Sequence, residues 1–96
     1  MNKYELTIVV SASIEEEQRN AIVEKVQEYI TRYDGRISGI DEAGLKDLAY
    51  PIEKMSQGYY YFFTIDTDNK EIAHDLERKL RIMDEVIRFM CVAVEA

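Results

Sequence analysis

The sequence has 96 residues, of which 47% are hydrophobic and 32% are charged, and this composition excludes a disordered tail. It predicts one domain, over residues 1–96, with one modest core. No apolar run approaches the roughly 20 residues that a membrane helix needs. The formal net charge of −7 argues against a protein that binds nucleic acid unaided, although it leaves room for a local basic patch or a basic protein partner.

Alternating residues predict a first strand over Lys3–Val10, in which one face is apolar and turns toward the core. Ser13 and Glu16 have the spacing of a capping box, which predicts the start of a helix. One face of that helix is apolar and comprises Ile22, Val26, Tyr29, Ile30 and Tyr33. Gly35 is expected to cap its carboxyl end.

The middle of the chain predicts two further strands. Residues 36–40 and 45–52 are extended, separated at 41–44 by a bulge or a bend. Gln57-Gly58 predicts a turn, followed by an aromatic strand over residues 59–65.

The last third predicts a helix and a strand. Asp68 and Glu71 form a second capping box, and the helix after it presents an apolar face. That face comprises Ile72, Leu76, Leu80 and Met83. The strand Val86–Val94 closes the chain, with Ile87, Phe89 and Cys91 inward and Arg88, Met90 and Val92 outward.

The resulting order β-α-β-β-α-β predicts a ferredoxin-like α+β sandwich. Its four-stranded antiparallel sheet has the order 4-1-3-2, with both helices on one face and the other face open. The second strand is then an edge strand, which explains why Pro51 is tolerated there.

Residues that could support catalysis are few. His74 is the one histidine, and it is expected to be a solvated helix residue rather than a catalytic base. Cys91, the single cysteine, lies in an apolar run and predicts a buried, reduced thiol in a cytoplasmic protein. No cluster with the spacing of a metal site or a phosphate loop occurs, so the sequence predicts neither an enzyme nor a cofactor.

The open face of the sheet is the remaining candidate site. One register of the third strand would place Tyr59, Tyr61 and Phe63 on it, where they would form a base-stacking platform or a protein interface, or simply fill the sheet. Basic residues are concentrated near the end of the second helix and would contact phosphate or form a solvated face. They are Arg78, Lys79, Arg81 and Arg88.

Four segments together resemble the family of ribosomal protein six from the bacterial small subunit. MNKYELTIVV is similar to the first strand of that family and GLKDLAYPI to its most characteristic segment. GYYYFF is similar to the start of its third strand and LRIMDEVIRFM to its carboxyl-terminal region. The four segments occur in the family's order and spacing over nearly the whole chain.

The resemblance implies a structural ribosomal protein in the cytoplasm that binds the central domain of small-subunit ribosomal RNA. Its partner would be ribosomal protein eighteen, a basic protein with which it forms a heterodimer. The RNA-binding residues expected from the resemblance are Lys3, Lys46, Arg81 and Arg88. Those expected at the partner surface are Tyr50, Tyr59, Tyr61 and Met90. The alternative is a ferredoxin-like regulatory or small-ligand-binding module that dimerises through its sheet.

Overall fold

The computed structural model describes residues 2–52 and 55–94, and it describes residues 47–52, 55 and 56 by their backbone alone. The elements in chain order are β1 Asn2–Ser11, α1 Glu16–Arg32, β2 Gly35–Ile52, β3 Met55–Thr67, α2 Ile72–Leu80 and β4 Val86–Val94. Neighbouring strands are antiparallel, and their order in the sheet is β2-β3-β1-β4. The predicted ferredoxin-like fold and the order 4-1-3-2 are therefore confirmed. Within the described ranges, no helix is long and apolar enough to cross a membrane.

The core lies between the helices and one face of the sheet. Alternate residues of the central strands and one stripe of each helix form a single buried cluster, because both helices cover the same side. The fully buried members from the strands include Leu6, Ile8, Val10, Phe63 and Ile65. The predicted apolar faces of both helices belong to this cluster or pack against it, and Val23 joins them.

The register of β3 corrects the predicted face of that strand. Phe63 is fully buried, Tyr61 is 6% exposed and Tyr59 packs against the core, so the register that would have placed these three side chains outward is not the one adopted. Tyr60 and Phe62 lie on the open face instead, where each is half-buried. A difference of one residue in register exchanges the two faces of a strand, so the alternate aromatic residues of β3 are the ones that lie outside.

The start of α1 differs from the predicted capping box. The N-cap is Glu15, with no side-chain hydrogen bond to the helix. The hydroxyl groups of Ser13 and Ser11 are hydrogen-bonded to each other at 2.9 Å, which stabilises the turn before the helix. Two acidic residues in the first turn, Glu16 and Glu17, interact favourably with the positive end of the helix dipole and stabilise this end of the helix without a side-chain cap.

The start of α2 also departs from the prediction, since the N-cap is Glu71 and makes no side-chain capping bond. Asn69 organises this turn: its Oδ1 accepts the backbone N–H of Glu71 at 3.0 Å, and its Nδ2 donates to the carbonyl of Tyr33 at 2.9 Å. Thr67 Oγ1 donates to the carbonyl of Asp34 at 2.8 Å. These bonds join the entry of α2 to the exit of α1.

The carboxyl end of α1 differs from the prediction that Gly35 caps the helix. The left-handed conformation belongs to Asp34, with φ of 66°, and Gly35 is already the first residue of β2. A Cβ atom at Gly35 would lie 2.7 Å from Ile30 Cγ2 and 2.9 Å from the Ile30 carbonyl oxygen. Close packing against the helix, rather than a helix cap, therefore requires this glycine.

The predicted turn at Gln57-Gly58 is wrong, because both residues lie inside β3. Gly58 is opposite Ser11 of β1 and Lys46 of β2. A Cβ atom there would lie 2.5 Å from Val9 Cγ1. Glycine here permits the close approach of Val9 across the open face, rather than a reversal of the chain.

Irregularities shape both edge strands. In β2 the register shifts between Glu42 and Gly44, where Gly44 has φ of 83°, and this confirms the expected bulge. β2 is an edge strand, as Pro51 predicted, and Pro51 lies where the pairing of β2 with β3 is interrupted between Asp47 and Ile52. In β4 the register shifts near its start, so that Val86 takes the core position that was expected for Ile87.

Candidate functional site

The open face of the sheet includes four cross-strand rows that extend over all four strands. Strand register places the following residues opposite one another, from β4 through β1 and β3 to β2. The rows are Arg88–Val9–Tyr60–Gly44, Met90–Thr7–Phe62–Asp41, Val92–Glu5–Thr64–Gly39 and Val94–Lys3–Asp66–Arg36. The face thus changes from mostly apolar at the β4 edge to polar toward β2.

The β4 edge carries exposed apolar side chains at every second residue. Met90 is 59% exposed, Val92 45% and Val94 37%. Large apolar side chains aligned in this way are typical of surfaces that bind another macromolecule. The outward positions predicted for Met90 and Val92 are confirmed.

Arg88 and Lys46 lie at one end of the sheet but on opposite edges. Both are exposed, and the register assigns Arg88 to Val9 and Lys46 to Gly58, which are in adjacent rows. Because three strand spacings separate β4 from β2, their backbones are about 14 Å apart. One ligand could contact both residues only by extending across the whole sheet.

Arg81 belongs to the helical layer, just after the end of α2. Its guanidinium forms an ion pair with Glu77 one turn earlier, and its side chain is 70% exposed. An exposed pair of this kind adds little stability, so the guanidinium can exchange Glu77 for another anion at small cost. The chain between Arg81 and β4 is short, which keeps Arg81 at the same end of the molecule as Arg88.

Lys3 lies at the opposite end of the sheet from Arg88. It is exposed in β1 and stands opposite Asp66, which in turn is opposite Arg36. Lys3 is six positions before Val9, the partner of Arg88, which corresponds to about 20 Å along β1. The four predicted RNA-binding residues therefore do not form one basic patch.

The predicted partner residues are also dispersed. Met90 is exposed on the open face, whereas Tyr61 is buried in the core. Tyr59 lies on the helical side of β3, where the guanidinium of Arg19 covers its ring at 3.8 Å from the centroid. The side chain of Tyr50 lies outside the described part of the chain.

Side chains with catalytic or metal-binding potential do not assemble into a site in the described ranges. No group of three or more His, Cys, Asp or Glu side chains there is placed to hold a metal ion. His74 is exposed on α2. Burial raises the pKa of the Cys91 thiol to about 11, which makes it a poor nucleophile at neutral pH.

Comparison with known proteins gives a family match along almost the whole chain. The model of the family described as ribosomal protein S6 matches residues 3–93. The chain belongs to the ribosomal protein S6 family.

Individual members of the S6 family agree with this assignment. Small ribosomal subunit protein bS6 of Alkaliphilus oremlandii is 40% identical over 95 residues, which is 99% of each chain. The bS6 protein of Geotalea daltonii is 39% identical, over 99% of this chain and 73% of its own. The crystal structure of 30S ribosomal protein S6 from Thermotoga maritima has a TM-score of 0.90 at 26% identity, covering 97% of this chain and 87% of that one.

Membership of the S6 family determines the class of function. The protein is a structural, non-enzymatic component of the small ribosomal subunit, and it acts in translation within the ribosome, in the cytoplasm. The predicted family and the absence of enzymatic function are thereby confirmed. Membership decides between the two functions considered from the sequence, in favour of the ribosomal one.

Sequence reasoning missed two aromatic residues of the open face, Tyr60 and Phe62. A sequence signal for their direction was available further along β3, because Thr64 and Asp66 are polar and lie on the same face of the strand as Tyr60 and Phe62. Counting back from these polar positions assigns Tyr60 and Phe62 to the solvent-facing side. Asp41 and Gly39 were also missed, since the bulges of β2 hide which of its residues face outward.

Proposed function

We propose that this ribosomal component binds the central domain of small-subunit ribosomal RNA as a heterodimer with ribosomal protein eighteen. The observation that carries the proposal is the distribution of charge. The chain has a net charge of −7, and its candidate RNA-binding cations are divided between two ends of the sheet. RNA affinity depends on the number of phosphates that Lys and Arg neutralise, so this protein alone binds RNA weakly.

A basic partner resolves this electrostatic problem. Complementary net charge accelerates and orients the encounter of an acidic subunit with a basic one. The exposed apolar row Met90, Val92 and Val94 offers the acidic subunit a contact surface on the open face. The heterodimer then forms first, and the two proteins bind a folded RNA junction together.

Within the heterodimer we assign RNA contacts to exposed cations near the rim of the open face and the end of α2. Arg88 and Arg81 lie at the same end of the molecule, Lys46 lies across the sheet, and Lys3 lies at the far end. These contacts would go to phosphate and sugar, which position a protein on RNA without reading its sequence. Met90 and the neighbouring apolar side chains contact the partner.

Titration of the RNA junction with this protein, in the presence and absence of ribosomal protein eighteen, tests the proposal. We expect weak, strongly salt-dependent binding without the partner and tight binding with it. The same affinity in both titrations would contradict the joint mechanism. Failure of the two proteins to co-purify would contradict the heterodimer itself.

A further inference from the structure

A shallow groove crosses the open face between the centre of the sheet and the β2 edge. It is lined by Glu5, Gly39, Ile40, Asp41, Phe62 and Thr64. Gly39 leaves room at its β2 side, because the nearest atom to a Cβ placed there would be Thr64 Oγ1 at 4.0 Å. The groove thus has an aromatic side chain, a small-residue floor and a carboxylate on each side.

The two carboxylates of the groove lie on either side of β3. Asp41 is directly opposite Phe62 in the register, and Glu5 is directly opposite Thr64. Their strands are two spacings apart, about 10 Å, so a cation above β3 would be offset laterally by about 5 Å from each strand, and the two carboxylates could approach it from both sides. At that position it would also lie beside Phe62, within the roughly 6 Å at which a cation and an aromatic ring attract.

Both carboxylates are available for an external partner. Glu5 and Asp41 are exposed, and neither carboxylate forms a hydrogen bond or an ion pair in the part of the chain that the structure describes. The nearest cations of the open face, Lys3 and Arg36, lie in the next row, on either side of Asp66. The groove therefore retains two negative charges next to a half-buried aromatic ring.

We propose that this groove receives an arginine side chain of the basic protein partner, an inference that rests on the proposed heterodimer. A guanidinium is planar, so it stacks on Phe62 and donates hydrogen bonds toward Glu5 and Asp41 at the same time. Lysine has a compact, strongly hydrated charge and fits this arrangement less well. RNA phosphate is repelled by both carboxylates, which favours a protein occupant.

The groove is continuous with the apolar row of β4. Met90 and Phe62 belong to the same cross-strand row, separated by Thr7. A partner that covers Met90 therefore extends over the groove without leaving the open face. Its contact surface combines apolar side chains toward β4 with an arginine toward β2.

The decisive experiment neutralises the groove without changing its shape. The double variant Glu5→Gln, Asp41→Asn is compared with Glu24→Gln, Glu28→Gln, which removes the same net charge from exposed positions of α1. The dissociation constant for purified ribosomal protein eighteen is measured by calorimetry at low and high salt. We expect the groove variant to bind at least about tenfold more weakly at low salt and the control to change about twofold or less.

Phe62 provides an independent arm of the test. Phe62→Leu removes the aromatic ring but keeps an apolar side chain, whereas Phe62→Tyr keeps the ring. We expect Phe62→Leu to weaken binding several-fold, Phe62→Tyr to bind as the wild type does, and the Leu effect to shrink when both carboxylates are already neutralised. Circular dichroism spectra of each variant serve as the control for correct folding.

The outcomes separate the two proposals. If the wild-type proteins form the heterodimer but the groove and α1 variants weaken it equally, the effect comes from net charge at long range. The proposal that the groove binds an arginine of the partner is then wrong. If Phe62→Leu binds normally, the stacking contact is wrong. If the wild-type proteins do not associate, the proposed function fails and this inference fails with it.

Discussion

The guanidinium of Arg19 in α1 lies over the ring of Tyr59 in β3, with its central carbon 3.8 Å from the ring centroid. The same guanidinium donates a hydrogen bond to the carbonyl of Ile14, and its charge acts on the hydroxyl of Tyr61. Burial raises the pKa of Tyr61, and the Arg19 charge partly opposes that rise. One side chain thus joins the start of a helix to two aromatic residues of the sheet.

Arg19→Ala should destabilise the fold by about 1–3 kcal/mol, because it removes a cation–π contact with Tyr59 and a hydrogen bond to the carbonyl of Ile14. Urea denaturation measures the free energy of unfolding. Arg32→Ala is the control, since its guanidinium lies farther from an aromatic ring, 5.7 Å from the Tyr29 centroid. We expect Arg32→Ala to cost less than about 1 kcal/mol, and equal losses in the two variants would contradict the role of Arg19.

The sequence predicted the order of the elements because period and polarity agree in most of them. In β1, Leu6 and Ile8 alternate with Glu5 and Thr7, so the face with Leu6 and Ile8 is assigned to the core. The register of β3 was not predictable from its aromatic run, where both faces are apolar. The long-range pairing with β1, which fixes that register, joins residues 47 to 65 positions apart, and the local signal is limited to the polar residues Thr64 and Asp66 near the end of the strand.

Gly58→Ala should cost about 1–3 kcal/mol through overpacking, because the new methyl group would lie 2.5 Å from Val9 Cγ1 in the middle of the sheet. Thermal unfolding followed by circular dichroism gives the change. Gly39→Ala is the matched control in the neighbouring edge strand, where the added methyl group has open space.

We expect Gly39→Ala to be neutral or to stabilise the protein by up to about 1 kcal/mol, since alanine restricts the unfolded chain. If Gly58→Ala unfolds at the same temperature as the wild type, Val9 can move away and the close approach does not require glycine. The comparison therefore separates a packing requirement from a general effect of replacing glycine in a strand.

Cys91 should react slowly with thiol reagents at neutral pH. Burial raises its pKa from 9.0 to about 11, so at pH 8 about 0.1% of the folded protein carries the thiolate, against about 10% at the unshifted value. Because this is the single cysteine, the rate of alkylation by iodoacetamide reports on it alone. We expect the rate to increase with pH up to about 11 in the folded protein and to level off near pH 9 in denaturant.

The raised pKa of Cys91 also makes stability depend on pH. The folded state holds the thiol proton more tightly than the unfolded state, so the contribution of Cys91 is complete below pH 9.0 and is lost as the pH rises toward 11. Cys91→Ala should remove this part of the alkaline decline in the free energy of unfolding. An unchanged decline would assign it to other groups, such as Tyr61, whose pKa burial also raises.

The candidate site was only partly predictable, for a physical reason. Alternation in β4 correctly placed Arg88 and Met90 outward, since beyond the irregularity at its start the strand has one buried face. The groove between Glu5 and Asp41 depends on register across three strands and on the bulges of β2. A single sequence contains no local pattern that specifies those pairings.

Arg88→Ala should weaken assembly of the RNA complex while the protein stays folded. Arg88 is exposed on the open face, so its removal opens no cavity in the core. Without its guanidinium one fewer phosphate is neutralised, which lowers RNA affinity and reduces the salt slope by about 1. Titration of the RNA junction with the preformed heterodimer at several salt concentrations measures both quantities. Lys25→Ala is the control, because it removes the same charge from an exposed position of α1.

Comparison of Arg88→Ala with Lys25→Ala separates a direct contact at Arg88 from an effect of net charge. Equal small decreases in affinity for Arg88→Ala and Lys25→Ala would mean that net charge, rather than a contact at Arg88, determines RNA affinity. Failure of Arg88→Ala to form the heterodimer would instead assign this residue to the partner surface, next to Met90 on the same strand. A reduced salt slope with normal heterodimer formation is the combination that places Arg88 against RNA phosphate, since only the removal of an ionic interaction with RNA lowers the number of released counterions.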